Sequence, residues 1–154
     1  MRTFYVVRHA KAGDRAAWTG DDRKRPLTKK GFEQAEKLVT VLAPYPIETI
    51  FSSAYLRCVQ TVEPLARVRK LEVKLSPSLE EGHGIEGLDE FFGDRSLDEA
   101  VLSTHGDIFE ELVDDLVNRE VIARGDGGTE KGSTWVVSVD EHGVPERARF
   151  IPAP

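Results

Sequence analysis

Apolar positions fall in short runs separated by polar, Gly- and Pro-rich breaks. Thr3–Val7 is a run of β-formers that predicts a buried strand, and it stops abruptly on Arg8-His9. Ala10–Pro26 is loop-like, with Gly13, Gly20 and the pair Asp21-Asp22. Thr28 predicts an N-cap, and Phe32, Ala35, Leu38, Val39 and Leu42 give Lys29–Leu42 a helical period that Pro44 and Pro46 end. Thr49–Phe51 predicts a second strand, followed at once by Ser52-Ser53. A helix is expected from about Tyr55, with Leu56, Val59 and Val62 on one face and Pro64 kinking or splitting it.

Leu71–Leu75 alternates as a strand, Ser76–Gly87 reads as a loop and Gly87–Phe92 as a short helix. Ala100–Ser103 is a further apolar stretch ending on polar residues, Thr104-His105-Gly106. An amphipathic helix follows through Ile108, Leu112, Val113, Leu116 and Val117. After a flexible Gly125–Gly132 connection, Thr134–Val139 and Arg147–Ile151 predict a closing antiparallel pair joined through Glu141-His142-Gly143. Alternating strands and helices, with no repeat or linker, predict one α/β domain over residues 1–154, with a mostly parallel central sheet flanked by helices.

Composition narrows the picture. A chain of 154 residues, 40% hydrophobic and 31% charged, is long and apolar enough to bury a core. No apolar stretch approaches the roughly 18 residues of a membrane span, and the N-terminus lacks a signal-peptide pattern. Cys58 is the single cysteine, so no intrachain disulfide forms, and a cytoplasmic location is expected. The net charge of −6 is unevenly spread: residues 1–75 carry 15 Lys/Arg and 8 Asp/Glu, a balance of +7, whereas residues 76–154 stand at −13. The asymmetry reflects either chance clustering on solvated faces or a first half that lines a site for an anion. No dense basic run with interleaved aromatics marks a nucleic-acid surface. Oligomeric state is left open.

Three strands end on polar residues before a helix or loop, at Arg8-His9, Ser52-Ser53 (with Arg57 one turn on) and Thr104-His105. In a mostly parallel α/β sheet ligands bind at the carboxyl ends of the strands, so two histidines and two arginines should face one pocket. Arginine forks match phosphate oxygens bidentately. A neutral histidine attacks phosphorus well when its other nitrogen is pinned by a hydrogen bond. With the cations supplied by the protein, no metal or cofactor is required, and no H-x-x-x-H or C-x-x-C pattern suggests one.

These residues carry a resemblance. "RHA", "SSAYLRCVQT", "STHG" and "RPLTKKGFEQA" are similar to the R-H-G/A, S-x-x-x-R-x-x-Q-T, second-histidine and helix-entry segments of the histidine phosphatase (phosphoglycerate mutase-like) superfamily. The short chain and "WTGDDRKRPLTKKGFEQAE" resemble SixA-type phosphohistidine phosphatases, and equally the phosphatase domain that follows a Nudix domain in some actinobacterial MutT-type proteins. Met1 leads directly into the first strand, so no such domain is expected before it. The resemblance implies a phosphoglycerate mutase-like fold. His9 would be the phosphorylated nucleophile, Arg8 and Arg57 would bind the phosphoryl oxygens, and His105 would stabilise the transferring group.

Many members of the superfamily place a general acid in an L-x-E-x-x-x-G context, which SixA-type members generally lack; in "SLEEGHGIEG" Glu81 fits L-x-E and Glu80 fits the spacing to Gly84, and either is a candidate general acid or a solvated loop charge. Ser53 either donates to phosphate or caps the next helix. Lys11, Arg15, Arg23 and Lys24, on the loop after His9, either contact substrate beyond its phosphate or lie on the surface. His83, His142 and Cys58 are not assigned to the site. The chain leaves no room for a long insertion over the pocket, so an open site is expected. That favours a bulky phosphorylated protein or a nucleotide over a sugar phosphate, and argues against a mutase, whose phosphoenzyme needs shielding from water. Protein phosphohistidine hydrolysis is the first reading and nucleoside di- or polyphosphate hydrolysis the second. The rival of another class is a non-catalytic phosphate-binding module.

Overall fold

The computed structural model describes residues 1–154, in which six strands form one sheet in the order β3-β2-β4-β1-β5-β6. The strands are β1 (Arg2–Arg8), β2 (Thr49–Ser52), β3 (Val73–Leu75), β4 (Ala100–Thr104), β5 (Thr134–Val139) and β6 (Pro145–Ile151). β1, β2, β3 and β4 run parallel, while β5 and β6 add antiparallel to the β1 edge. The helices are α1 (Lys29–Val41), α2 (Leu56–Arg69), α3 (Glu86–Phe92) and α4 (Gly106–Asn118). The expected α/β class, mostly parallel sheet and flanking helices are all present.

The continuous apolar runs in the strands follow from cover on both faces, since successive side chains point to opposite sides. Phe4 and Val6 of β1, Leu102 of β4, and Trp135 and Val137 of β5 pack with Leu88 and Phe92 of α3 and Ile108, Phe109 and Leu112 of α4. Their neighbours Tyr5, Val7, Val101 and Val136 pack with Leu38 of α1 and Val62 and Leu65 of α2. Successive residues thus enter different core layers, and the interiors of β1, β4 and β5 carry no charge.

Local signals hold where the chemistry is local. Thr28 caps α1, its hydroxyl accepting from Gly31 N at 3.1 Å. The helix expected to kink or split at Pro64 is not split: α2 runs from Leu56 to Arg69 with Pro64 buried inside it. One missing N–H is offset there by burial of Val62, Leu65 and Ala66 against the sheet. The third strand begins at Val73 rather than Leu71, because Leu71 N instead donates to Ala66 O at 2.9 Å and closes α2 behind the left-handed Lys70. No helix is long and apolar enough to cross a membrane.

Candidate active site

β2, β4 and β1 are neighbours in the sheet, so their carboxyl ends are adjacent. Arg8 pairs with Thr104 and Ser52 with Ser103. The ladder continues one residue further, with His9 N donating to Thr104 O at 3.0 Å and Ser53 N to Ser103 O at 3.0 Å. That register delivers His9 and His105 to one place, their ring centroids 5.8 Å apart at a steep angle.

His9 is buried, and its Nδ1 lies 2.8 Å from the Ala10 carbonyl, which fixes Nδ1 as the protonated nitrogen and leaves the Nε2 lone pair free. Ala10 is itself tied down by its N–H donating to Thr61 Oγ1 at 2.9 Å. Burial, opposed by the Ala10 hydrogen bond and reinforced by Arg57, His105 and Arg8, pushes His9 down to about 3. Burial and then Arg57 push His105 down to about 4. Both imidazoles are therefore neutral near pH 7.

The two arginines share one arrangement. Arg8 donates from Nη1 to the Thr129 carbonyl at 2.7 Å, and its Nε is buried without a partner. Arg57, fully buried, donates from Nη1 to the Asp22 carbonyl at 2.9 Å and from Nη2 to Asp22 Oδ2 at 3.2 Å and Glu81 Oε1 at 2.8 Å; its Nε too is buried and unpartnered. Nη2 and Nε–H share one edge of the guanidinium, the edge that grips two oxygens of an oxyanion. Arg8 offers that edge free. On Arg57 it is half taken by Glu81. Buried polar donors are nearly always paired in a folded protein, so these two orphaned Nε–H groups point to an anion.

The structure separates the two glutamates. Glu81 Oε1 also meets Arg15 Nη2 at 2.8 Å and lies 3.3 Å from His105 Nδ1. Glu80 turns away to pair with Arg23 at 2.9 Å. Ser53 neither reaches the cavity nor caps α2. Its hydroxyl accepts from Tyr55 N at 3.2 Å, in a local serine turn, and lies 2.8 Å from His105 Nε2. Donating there leaves the Nδ1 proton of His105 directed toward Glu81. The first helical residue is Leu56, and no side chain caps it. Cys58 is buried, with Sγ 3.5 Å from His105 Nε2.

A surface cavity of about 980 Å³ opens over His9 and Arg8. Its wall takes Lys11, Arg15, Arg25, Tyr55, Glu81 and Lys131, with Asp14, Asp107 and Glu110 on the acidic side. Lys11 and Arg15 line the cavity, whereas Lys24 is exposed on the 22–24 turn outside it. Arg57 and His105 lie beneath the wall rather than on it, covered by Glu81, Tyr55 and Asp22. Lys131 carries no signal in the sequence, yet its ammonium pKa is lowered by partial burial and by Arg8, Arg25, Lys11 and Arg15, a measure of how much positive charge gathers here.

Neutral buried histidines make stability fall in acid. In the unfolded chain both imidazoles titrate near 6.5, in the folded chain at about 3 and about 4, so the unfolded state binds the extra protons as pH drops below 6.5. Chemical denaturation in phosphate-free buffer is expected to show about 2–4 kcal/mol less stability at about pH 5 than at pH 7. His9→Asn and His105→Asn together should flatten that slope. An unchanged slope would mean that these imidazoles titrate normally.

A mostly parallel sheet that gathers a pinned neutral histidine, a second histidine and two arginines with orphaned Nε–H groups at and beneath one cavity defines a phosphoglycerate mutase-like domain. The chain belongs to the histidine phosphatase superfamily (branch 1), whose family model matches residues 4–91. It is 36% identical over 147 residues to the 8-oxo-(d)GTP phosphatase of Mycolicibacterium smegmatis, covering 91% of this chain and 45% of that protein. The chain thus spans less than half the length of the curated relatives it matches. Among solved structures it resembles a candidate SixA phosphohistidine phosphatase from Agrobacterium tumefaciens (TM-score 0.77, 22% identity, 98% of this chain and 97% of that one). It also resembles the protein histidine phosphatase SixA complexed with tungstate (TM-score 0.71, 19% identity, 97% and 94%).

Proposed function

We propose that this protein is a metal-independent phosphatase that passes a phosphoryl group first to His9 and then to water. The observation that carries this reading is the neutral His9, its Nδ1 pinned, beside two arginines whose buried Nε–H groups lack a partner. Nε2 of His9 attacks phosphorus in line as the bond to the leaving group breaks. Arg8, Arg57 and the Nδ1–H of His105 bear the charge on the equatorial oxygens. Phosphoryl oxygens that take the whole edge of Arg57 displace Glu81 from Nη2. That leaves Glu81 beside the site, where in its protonated form it can give a proton to the leaving group and then accept one from the water that attacks phosphohistidine.

Two substrate readings stand. The outer cations Lys11, Arg15, Arg25 and Lys131 support a substrate with more negative charge than a single phosphoryl group, and the geometry therefore favours a nucleoside di- or polyphosphate. The 8-oxo-(d)GTP phosphatase relative supports the same reading. The exposed rim residues Lys11, Asp14 and Arg15 would also admit a phosphohistidine carried on a protein, the reading that the fold shared with SixA supports. The intact set of His9, Arg8, Arg57 and His105 argues against a binding module without turnover.

A chelator-treated enzyme should be offered a nucleoside diphosphate, a phosphohistidine protein, an aryl phosphate and an alkyl phosphate side by side. Turnover is expected to persist without metal and to be fastest on the nucleotide. A preference for phosphohistidine would move the assignment to the second reading, and no turnover on any of the four would favour the binding module. Glu81→Gln should slow the alkyl phosphate by about 100-fold and leave phosphohistidine cleavage nearly unchanged, because that leaving group needs little protonation. Equal effects on both would remove Glu81 as the proton donor.

A further inference from the structure

Resting on the reading of Arg57 as a phosphoryl-binding group, we infer that Asp22 is a positioning residue that clamps Arg57 and ties it to the outer cationic wall. Asp22 sits on the 22–24 turn of the long loop after β1, far from the strand ends that supply the other site residues. It grips Arg57 twice. Its main-chain carbonyl accepts from Nη1 at 2.9 Å and its Oδ2 from Nη2 at 3.2 Å. Together these contacts hold the end-on edge of the guanidinium and turn the Nε/Nη2 edge toward the phosphoryl position.

The other carboxylate oxygen serves the wall. Oδ1 accepts from Arg25 Nε at 2.9 Å and lies 3.7 Å from Arg15 Nε. Arg25 in turn donates from Nη1 to the Gly13 carbonyl, which holds the loop that follows His9. One carboxylate thus spans the inner arginine and two outer ones. Burial would raise the Asp22 pKa, but the Arg25 hydrogen bond and the charges of Arg57, Arg25 and Arg15 hold it below the usual carboxylate value, so the clamp stays ionised at neutral pH. Asp22 is only partly buried, whereas Arg57 is wholly so. Losing Asp22 is therefore felt through Arg57 orientation more than through packing.

The test is a double-mutant cycle of Asp22→Ala and Arg57→Ala, read by turnover and by inhibition with orthovanadate, a phosphoryl mimic. Asp22→Ala is expected to lower kcat/KM by about 30- to 100-fold, the scale of an ångström-level misplacement, and to weaken vanadate inhibition in parallel. The double variant should be no worse than Arg57→Ala alone, because Asp22 acts through Arg57. Both variants keep the main-chain carbonyl on Nη1, and Asp22→Asn also keeps one side-chain acceptor, so it should lie between wild type and Asp22→Ala; it also carries the cycle if the alanine variant does not fold. Additive losses, wild-type turnover in Asp22→Ala, or tighter vanadate inhibition would overturn the inference, the last showing that Asp22 competes for Arg57. Wild-type turnover in Arg57→Ala would instead overturn the phosphoryl-binding reading of Arg57 itself.

Discussion

His9→Ala is expected to abolish turnover, with a loss on the order of 10⁴–10⁶ in kcat, while vanadate still binds. The size of the effect follows from what His9 supplies. His9 lines the cavity with its Nε2 lone pair free, because Nδ1 is committed to the Ala10 carbonyl and burial pushes its pKa down to about 3. Cys58 cannot replace it: the thiol is buried behind His105, and burial raises its pKa far above the physiological range, so no thiolate forms. Vanadate binding should survive, since Arg8, Arg57 and His105 keep their places without the His9 ring; Arg8 is anchored by Thr129 and Arg57 by Asp22. Stopped-flow turnover and acid-quench capture of labelled phosphoenzyme would check this. Turnover at the wild-type rate would show that the phosphoryl group never resides on His9.

Gly106→Ala is expected to cost about 10²–10³ in kcat with little change in fold, the scale of losing one oxyanion-stabilising donor. Gly106 opens α4 directly beneath the Arg8 guanidinium, and a Cβ there would stand 2.5 Å from Nη2 and 2.7 Å from the guanidinium carbon. A flexible side chain normally moves aside from such a contact. Arg8 has nowhere equivalent to go, because its Nη1 is held by Thr129 and its backbone is locked in β1 between β4 and β5. The added methyl therefore drives the guanidinium off the phosphoryl position rather than straining the helix. Near-normal thermal stability with weakened vanadate inhibition and collapsed kcat would confirm this. Retained kcat would show that Arg8 accommodates the methyl without leaving its station. Unlike Gly106, Gly31 meets backbone: its added Cβ would stand 2.0 Å from the Lys11 carbonyl, so a side chain there would disturb the loop itself.

The strand ends were legible because their cause is local. A strand covered on both faces must be apolar until it leaves the core, so the first charged residues, Arg8-His9, mark where it emerges. The Thr28 cap, the amphipathic α4 and the closing β5–β6 pair were readable for the same kind of reason: each depends on residues within a turn or a strand repeat. Pro64 does not split α2, because propensity yields to packing where Val62, Leu65 and Ala66 are buried around it.

The sequence by itself determined the α/β class and the polar strand ends, and it singled out His9, Arg8, Arg57 and His105, which the fold brings together. The tertiary structure alone decided that Glu81 rather than Glu80 meets Arg57. It alone showed that Ser53 orients His105, that Lys24 stays outside, and that Asp22, Arg25 and Lys131 join the site. Those outcomes depend on side-chain direction across long separations, 24 residues between Arg57 and Glu81 and 121 between Arg8 and Thr129. Neither a helical nor a strand period reaches across such distances, and a one-residue choice such as Glu80 against Glu81 reverses which way a carboxylate points.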